Sequence, residues 1–255
     1  MDKKEILALA LAQSAADINC APEDFLRQEN VIVESVIGPH ARSCYHEPIA
    51  ANLVSYGSNI VASGKEPYRE IVESYIGRFE FYHCFETPNL HVLEQALEPL
   101  GQKVCFMAEY WLPDLDRLRP LPCAYETRLL CPEDFAALYL PEWSNALCAD
   151  RRQLDMLAVG AYDGGRLVGL AGCSADGETT WQIGIDVLPA YRRRGVAKAL
   201  TAALALECLE RNKLPYYCCA WSNIPSARNA FASGFAPAWV ELTVKPTEVV
   251  DGMNR

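Results

Sequence analysis

The chain has 255 residues, 51% of them hydrophobic, and a formal net charge of −10. That is enough apolar chain for one large domain or two small ones with a real core, and it excludes a disordered protein. The acidic balance argues against nonspecific nucleic-acid binding, and no apolar run reaches the ~18 residues that span a bilayer.

Taken in order, Lys3 to Asp17 predicts a helix with Ile6, Leu7, Leu9, Ala10 and Leu11 on a broad apolar face. Its apolar run is too short, and its lysines too closely flanked by acids, for a signal peptide. The expected compartment is therefore the cytoplasm. Ala21 to Leu26 reads as a short helical turn, Asn30 to Ile37 as a strand, and Pro48 to Ala62 as one or two more. Gly64-Lys65-Glu66-Pro67 opens a helix through Ile76, Leu90 to Leu100 is another, and Lys103 to Leu112 is a strand rich in Val, Phe, Tyr and Trp. The first 118 residues thus read as a mixed α/β unit. Residues 113–122, proline-rich and charged, read as a boundary. Residues 1–119 hold 10 Lys and Arg against 18 Asp and Glu, a net of −8; residues 120–255 hold 13 against 15, a net of −2.

Past the boundary, Tyr125 to Leu130 predicts a strand. Pro132 begins a helix, and Pro141 to Cys148 a second. Met156 to Tyr162 and Arg166 to Ala175 read as strands of a hairpin turning at Asp163-Gly164-Gly165. In the next strand Ile183, Ile185 and Val187 alternate with Gln182, Gly184 and Asp186, and Pro189 ends it. A helix follows from Val196 to about Arg211, then a strand Tyr216–Ala220, a helix Ser226–Ala232 and a strand Val240–Val244.

The junction Arg192-Arg193-Arg194-Gly195 carries the chemistry. A helix start offers free backbone N–H groups and the positive end of the dipole. Gly195 permits close approach, and the arginines add charge. Together these suit a phosphate or diphosphate. The bland alternative is a solvated basic turn.

The spacing Arg192-x-x-Gly195-x-Ala197, after a strand ending Val-Leu-Pro and before a long helix, resembles the acetyl-CoA loop of the GNAT N-acetyltransferase superfamily. Asn223-Ile-Pro-Ser226 followed by Gly234-Phe235 is a second mark in the same order. The resemblance covers residues 120–246. It implies an α/β fold with a mixed sheet: a C-terminal GNAT acyltransferase domain, 119–255, preceded by a smaller mixed α/β domain, 1–118. The echo of strand, glycine and helix at 52–76 suggests that the smaller domain is a degenerate GNAT-like copy.

The resemblance also implies the site. Arg192, Arg193, Arg194, Gly195, Val196, Ala197 and Lys198 would hold the diphosphate of acetyl-CoA. Ile185 and Val187 would bind pantetheine through their backbones, with the Val187 N–H near the thioester carbonyl, and Asn223 and Ser226 would line the arm. The alternative for that last pair is a turn Asn before a helix-capping Ser. A base would be a carboxylate on or beside the central strand. Asp186 is the candidate, against the alternative of a carboxylate tied to a neighbouring loop; Glu178, Glu142 and Glu241 are weaker ones. Many members place a Tyr seven residues after the Asn as proton donor to sulfur. Here that residue is Ala230, which leaves the donor open, Tyr217 being one alternative, and keeps a CoA-binding sensor or partner module without activity as the second reading. The implied reaction is acetyl transfer to a small-molecule or peptide amine by direct attack on the thioester, with no metal, nucleic acid or membrane involved. Oligomeric state is not readable.

Other chemistries find no support. The eleven cysteines form no Cys-x-x-Cys pair, and His40, His46, His83 and His91 show no metal-ligand spacing. Free cysteines suit a reducing compartment.

Overall fold

The computed structural model describes residues 1–43 and 49–254. His46, and Pro48 at the start of the expected strand, lie outside the described residues. The protein is mixed α/β. It divides into two compact units, Met1–Leu9 with Trp111–Pro237 and Ala10–Tyr110 with Ala238–Arg255. The sequence instead suggests a boundary at 118/119. No described helix is long and apolar enough to cross a membrane.

The first unit contains β5 (Glu126–Leu130), β6 (Asp155–Asp163), β7 (Arg166–Ser174), β8 (Thr180–Val187) and β9 (Leu214–Ala220), with α4 (Val196–Glu210) and α5 (Ile224–Ala232). Its strand order is β9-β8-β7-β6-β5. β5 to β8 run antiparallel, and the Gly164-Gly165 turn closes the β6–β7 hairpin with Asp163 opposite Arg166. The α4 crossover makes β9 parallel to β8. Eight of the fifteen α4 residues are buried, among them Val196, Leu200, Leu204 and Cys208. They pack on Val159, Ala161, Ala171, Cys173, Ile183 and Val187. A second cluster holds Leu130, Phe135, Trp143, Ala146, Leu147, Ala158 and Leu170. Strand alternation explains the pair: Val159 joins one cluster and Ala158 the other.

Two expected helices are absent here. Residues 132–134 and 141–143 form only 3-10 turns. Pro141 disfavours helical backbone at Leu140, so a helix begun at Pro132 has to end before it. After Pro141 the reason is tertiary. The N–H groups of Asn145 and Ala146 donate to the Asp186 carboxylate at 2.8 and 3.0 Å instead of to carbonyls one turn back. Glycine allows this approach. Gly172 and Gly184 are cross-strand partners, and a Cβ on either would stand 2.0 Å from the Ala146 carbonyl oxygen or 1.8 Å from that of Asn145. The bare pair is the floor on which the 145–146 backbone lies.

The second unit carries most of α1 (Lys3–Ile18), then β1 (Val31–Glu34), β2 (Ala51–Ser55), β3 (Val61–Gly64), α2 (Tyr68–Ile76), α3 (Thr87–Leu97), most of β4 (Gln102–Pro113) and β10 (Phe235–Pro246), and α6 (Thr247–Met253). Its strands run β1-β3-β2-β10-β4, with β1 and β3 parallel. The core gathers Leu53, Ile60, Val72, Tyr75, Phe85, Leu93, Leu97, Leu242 and Val244. Beside it sits a buried ion cluster. Arg42 bonds Asp17 and also Glu241 (2.6 Å), and the Trp239 indole N–H reaches Glu241 as well (2.9 Å). Burial pushes the Asp17 carboxyl up, with Arg42 opposing it.

Candidate functional site

The site begins where two parallel strands part. β8 and β9 are in register from Thr180 opposite Leu214 to Ile183 opposite Tyr217, and there their pairing ends. β8 continues beside β7 to Val187. The β8 backbone from Gly184 to Val187 therefore has a ladder on its β7 side and a cleft on the other. Strand backbone without a ladder partner presents N–H and C=O groups to whatever enters.

The far end of this cleft is the start of α4. Gly195 occupies the N-cap position at φ +80°, with no side-chain cap on the helix. The first-turn N–H groups, Val196 to Lys198, have no intrahelical carbonyl to meet. Arg193 also has a left-handed backbone, φ +61°, a conformation that non-glycine residues adopt at a cost. The two left-handed residues bracket the turn that leads into the bare helix start, where free backbone N–H groups and the helix dipole favour an anion. Sequence reading finds Gly195 but not the turn at Arg193, since nothing in an arginine side chain announces it.

The cleft has a volume of ≈ 810 Å³, and Ile185, Asp186, Val187, Arg192, Arg193, Gly195, Val196, Ala197, Lys198, Asn223 and Ser226 all line it. Arg194 stands apart from these expected residues: its guanidinium donates to Tyr125 Oη at 2.9 Å and does not line the cleft. Arg192 Nε donates to the Val187 carbonyl at 2.9 Å, tying the loop to the end of β8. Asn223 caps α5, its Oδ1 accepting from the Ser226 N–H at 3.2 Å. Ser226 Oγ in turn shares a 2.7 Å hydrogen bond with Tyr217 Oη.

Asp186 is tied down. Its Oδ2 accepts from the backbone N–H groups of Asn145 and Ala146, and its Oδ1 accepts from Asn145 Nδ2 at 2.6 Å. Glu142 and Glu178 do not line the cleft, and Glu241 belongs to the second unit. Sequence reasoning missed Asn145 and Arg228 as lining residues. Asn145 lies 41 residues from Asp186, and the glycine floor leaves room for them to meet. Arg228 carried a faint signal, two residues past Ser226 at the start of a helix.

The arrangement suits a long anionic ligand with a thin polar arm. In a chain of net charge −10, the cleft is lined by Arg192, Arg193, Lys198 and Arg228 against one carboxylate, itself hydrogen-bonded. A diphosphate fits the α4 end, and an amide-bearing arm fits the strand gap.

Comparison with known proteins gives one family match and several similar structures. The GNAT acetyltransferase family model matches residues 121–237. Solved structures similar to this chain include an acetyltransferase of the GNAT family from Colwellia psychrerythraea. It is 17% identical, with 59% of this chain and 61% of that one covered and a TM-score of 0.42. A GCN5-related N-acetyltransferase-like protein from Streptococcus suis is 18% identical, with 78% and 84% covered and a TM-score of 0.49. An aminoglycoside N-acetyltransferase, AAC(6')-Iy, in complex with CoA is 22% identical, with 44% and 91% covered and a TM-score of 0.36. The chain thus spans about three fifths of the Colwellia protein. A search of curated proteins gives no match. The loop at 192–198 and the parted strands both fall within residues 121–237, the segment of this chain that matches the GNAT acetyltransferase family model.

Proposed function

We propose that this protein is a cytoplasmic N-acetyltransferase that moves an acetyl group from acetyl-CoA to an amine by direct attack on the thioester. The observation that carries the reading is the continuity of one cleft from the β8–β9 gap to the bare N-terminus of α4. In this reading the first-turn N–H groups of α4, with Arg193 and Lys198, hold the diphosphate. The β8 backbone at Ile185 and Val187 aligns the pantetheine arm, with Asn223 and Ser226 across the gap. A backbone donor aimed at the developing oxyanion contributes about 2.7–4 kcal/mol in comparable sites. Arg192 fixes the Val187 carbonyl and so sets where that strand ends.

Asp186 faces the acceptor. Two donors meet its Oδ2 and one meets its Oδ1, so one lone pair of Oδ1 remains for an incoming amine or a bridging water. We assign it the roles of orienting the amine and taking its proton. The acceptor is a small-molecule or peptide amine, and no metal takes part. The described cysteines are free thiols, in keeping with a reducing compartment.

A second reading is a CoA-binding module without turnover. It draws on Ala230, fully buried where many family members carry a tyrosine. One experiment separates the two. Under both readings acetyl-CoA at a hundred times its Kd stabilises the protein by about 2.7 kcal/mol, seen as a raised Tm. Only the enzyme also releases free CoA thiol with a panel of primary amines, polyamines and peptides. Stabilisation without release leaves the binding module, and no stabilisation removes both.

A further inference from the structure

We propose that Tyr217, on β9, is the proton donor to the departing CoA sulfur, supplying from the strand the phenol that α5 lacks at Ala230. The inference rests on the acetyl-CoA reading above and deepens it.

Three observations converge. Tyr217 is the last β9 residue in register with β8, opposite Ile183, so it stands at the apex of the gap that would receive the pantetheine arm. It lines the cleft although only 3% of its surface is exposed, and its ring packs in the core near Phe235. Its Oη is 2.7 Å from Ser226 Oγ. Ser226 and Ala230 lie one turn apart on α5 and so share a face. The Tyr217 hydroxyl therefore reaches the same side of α5 from which a tyrosine at 230 would project. The other tyrosine lining the cleft, Tyr191, is bonded to Asp163 at 3.0 Å and belongs to the diphosphate end.

The acid–base chemistry is consistent. Burial raises the phenol's pKa, Ser226 and Asn229 oppose that rise by hydrogen bonding, and the Cys219 and Cys218 thiols add to it. The group is thus fully protonated at neutral pH, as a donor must be. In the step, the amine nitrogen bonds to the thioester carbonyl carbon, and the tetrahedral intermediate collapses with cleavage of the C–S bond. The electron pair passes to sulfur, which takes the Tyr217 proton and leaves as CoA thiol. The phenolate regains a proton from solvent through Ser226. The proton lost by the amine goes to Asp186 or water.

The test needs no identified acceptor. The thiol of bound CoA is titrated by thiolate absorbance in wild type, Tyr217→Phe and Ser226→Ala, with the Kd for CoA measured by calorimetry on the same samples. A phenol donating to sulfur favours the thiolate, so in wild type the bound thiol should titrate about one pH unit lower than in the Phe variant. CoA affinity should change less than threefold. Ser226→Ala, which keeps the phenol but removes its partner, should fall between the two. Equal titration in wild type and Tyr217→Phe, with CoA bound to both, overturns the inference and leaves the acetyl-CoA reading standing. Failure of wild type to bind CoA overturns both.

Discussion

At the scale of single residues, the site turns on how Asp186 is used. Sequence reading left two uses open, a base for the amine or a carboxylate tied to a loop, and the hydrogen bonds give it the tie while leaving one lone pair over. The amide of an Asn side chain has one acceptor and one donor end, so at 186 it would turn an NH₂ group toward the donors on Asn145 or Ala146. Asp186→Asn should therefore cost about 1–3 kcal/mol of stability, read as a lower denaturation midpoint at unchanged slope. It should also lower kcat with an identified acceptor. A variant as stable as wild type would show that the 145–146 turn is held by its glycine floor alone.

At the scale of elements, the loop between β8 and α4 divides its three arginines among three tasks. Arg192 braces the end of β8, Arg193 sits in a left-handed turn at the cleft, and Arg194 bonds Tyr125 away from it. Losing a charge-assisted contact to phosphate corresponds to about tenfold or more in affinity. Arg193→Ala should therefore raise the KM for acetyl-CoA about tenfold, while Arg194→Ala leaves it within about twofold. Steady-state kinetics or calorimetry on the two single variants decides, and the reverse order would move the diphosphate to the other side of the loop. Gly195 gives a second handle on the same element. A branched side chain at φ +80° costs about 1–2 kcal/mol, and its Cβ would press on the Lys198 side chain, 3.2 Å away. Gly195→Val should lower both stability and donor affinity.

At the scale of the whole molecule, each unit has its own core, and the two cores answer to different tests. The cleft and its lining belong to the first unit. The Asp17–Arg42–Glu241 cluster belongs to the second, with every member at least nine-tenths buried. Removing the cation there leaves two buried carboxylates facing each other, which costs about 3–5 kcal/mol. Arg42→Met should thus lower the Tm substantially while leaving the Kd for acetyl-CoA within about twofold. A large loss of affinity in a folded sample would mean that the cluster acts on the cleft.

The sequence by itself determined the strands and helices whose patterns are local. These include the alternation along β8, the Gly-Gly turn of the β6–β7 hairpin, the long apolar α4, and the Arg192-to-Ala197 spacing that marks the family. Those signals live within a few residues of one another, so they survive without knowledge of the fold. The tertiary structure decided what depends on distant partners. Residues 141–148 are a turn and not a helix because Asp186, some 40 residues on, takes the N–H groups a helix would use. Arg194 leaves the cleft because Tyr125 is within reach. Tyr217 meets Ser226, nine residues on, because the fold lays α5 against β9. A hydrogen bond takes the best donor and acceptor that the fold brings within 3 Å, and along the chain nothing marks which those will be.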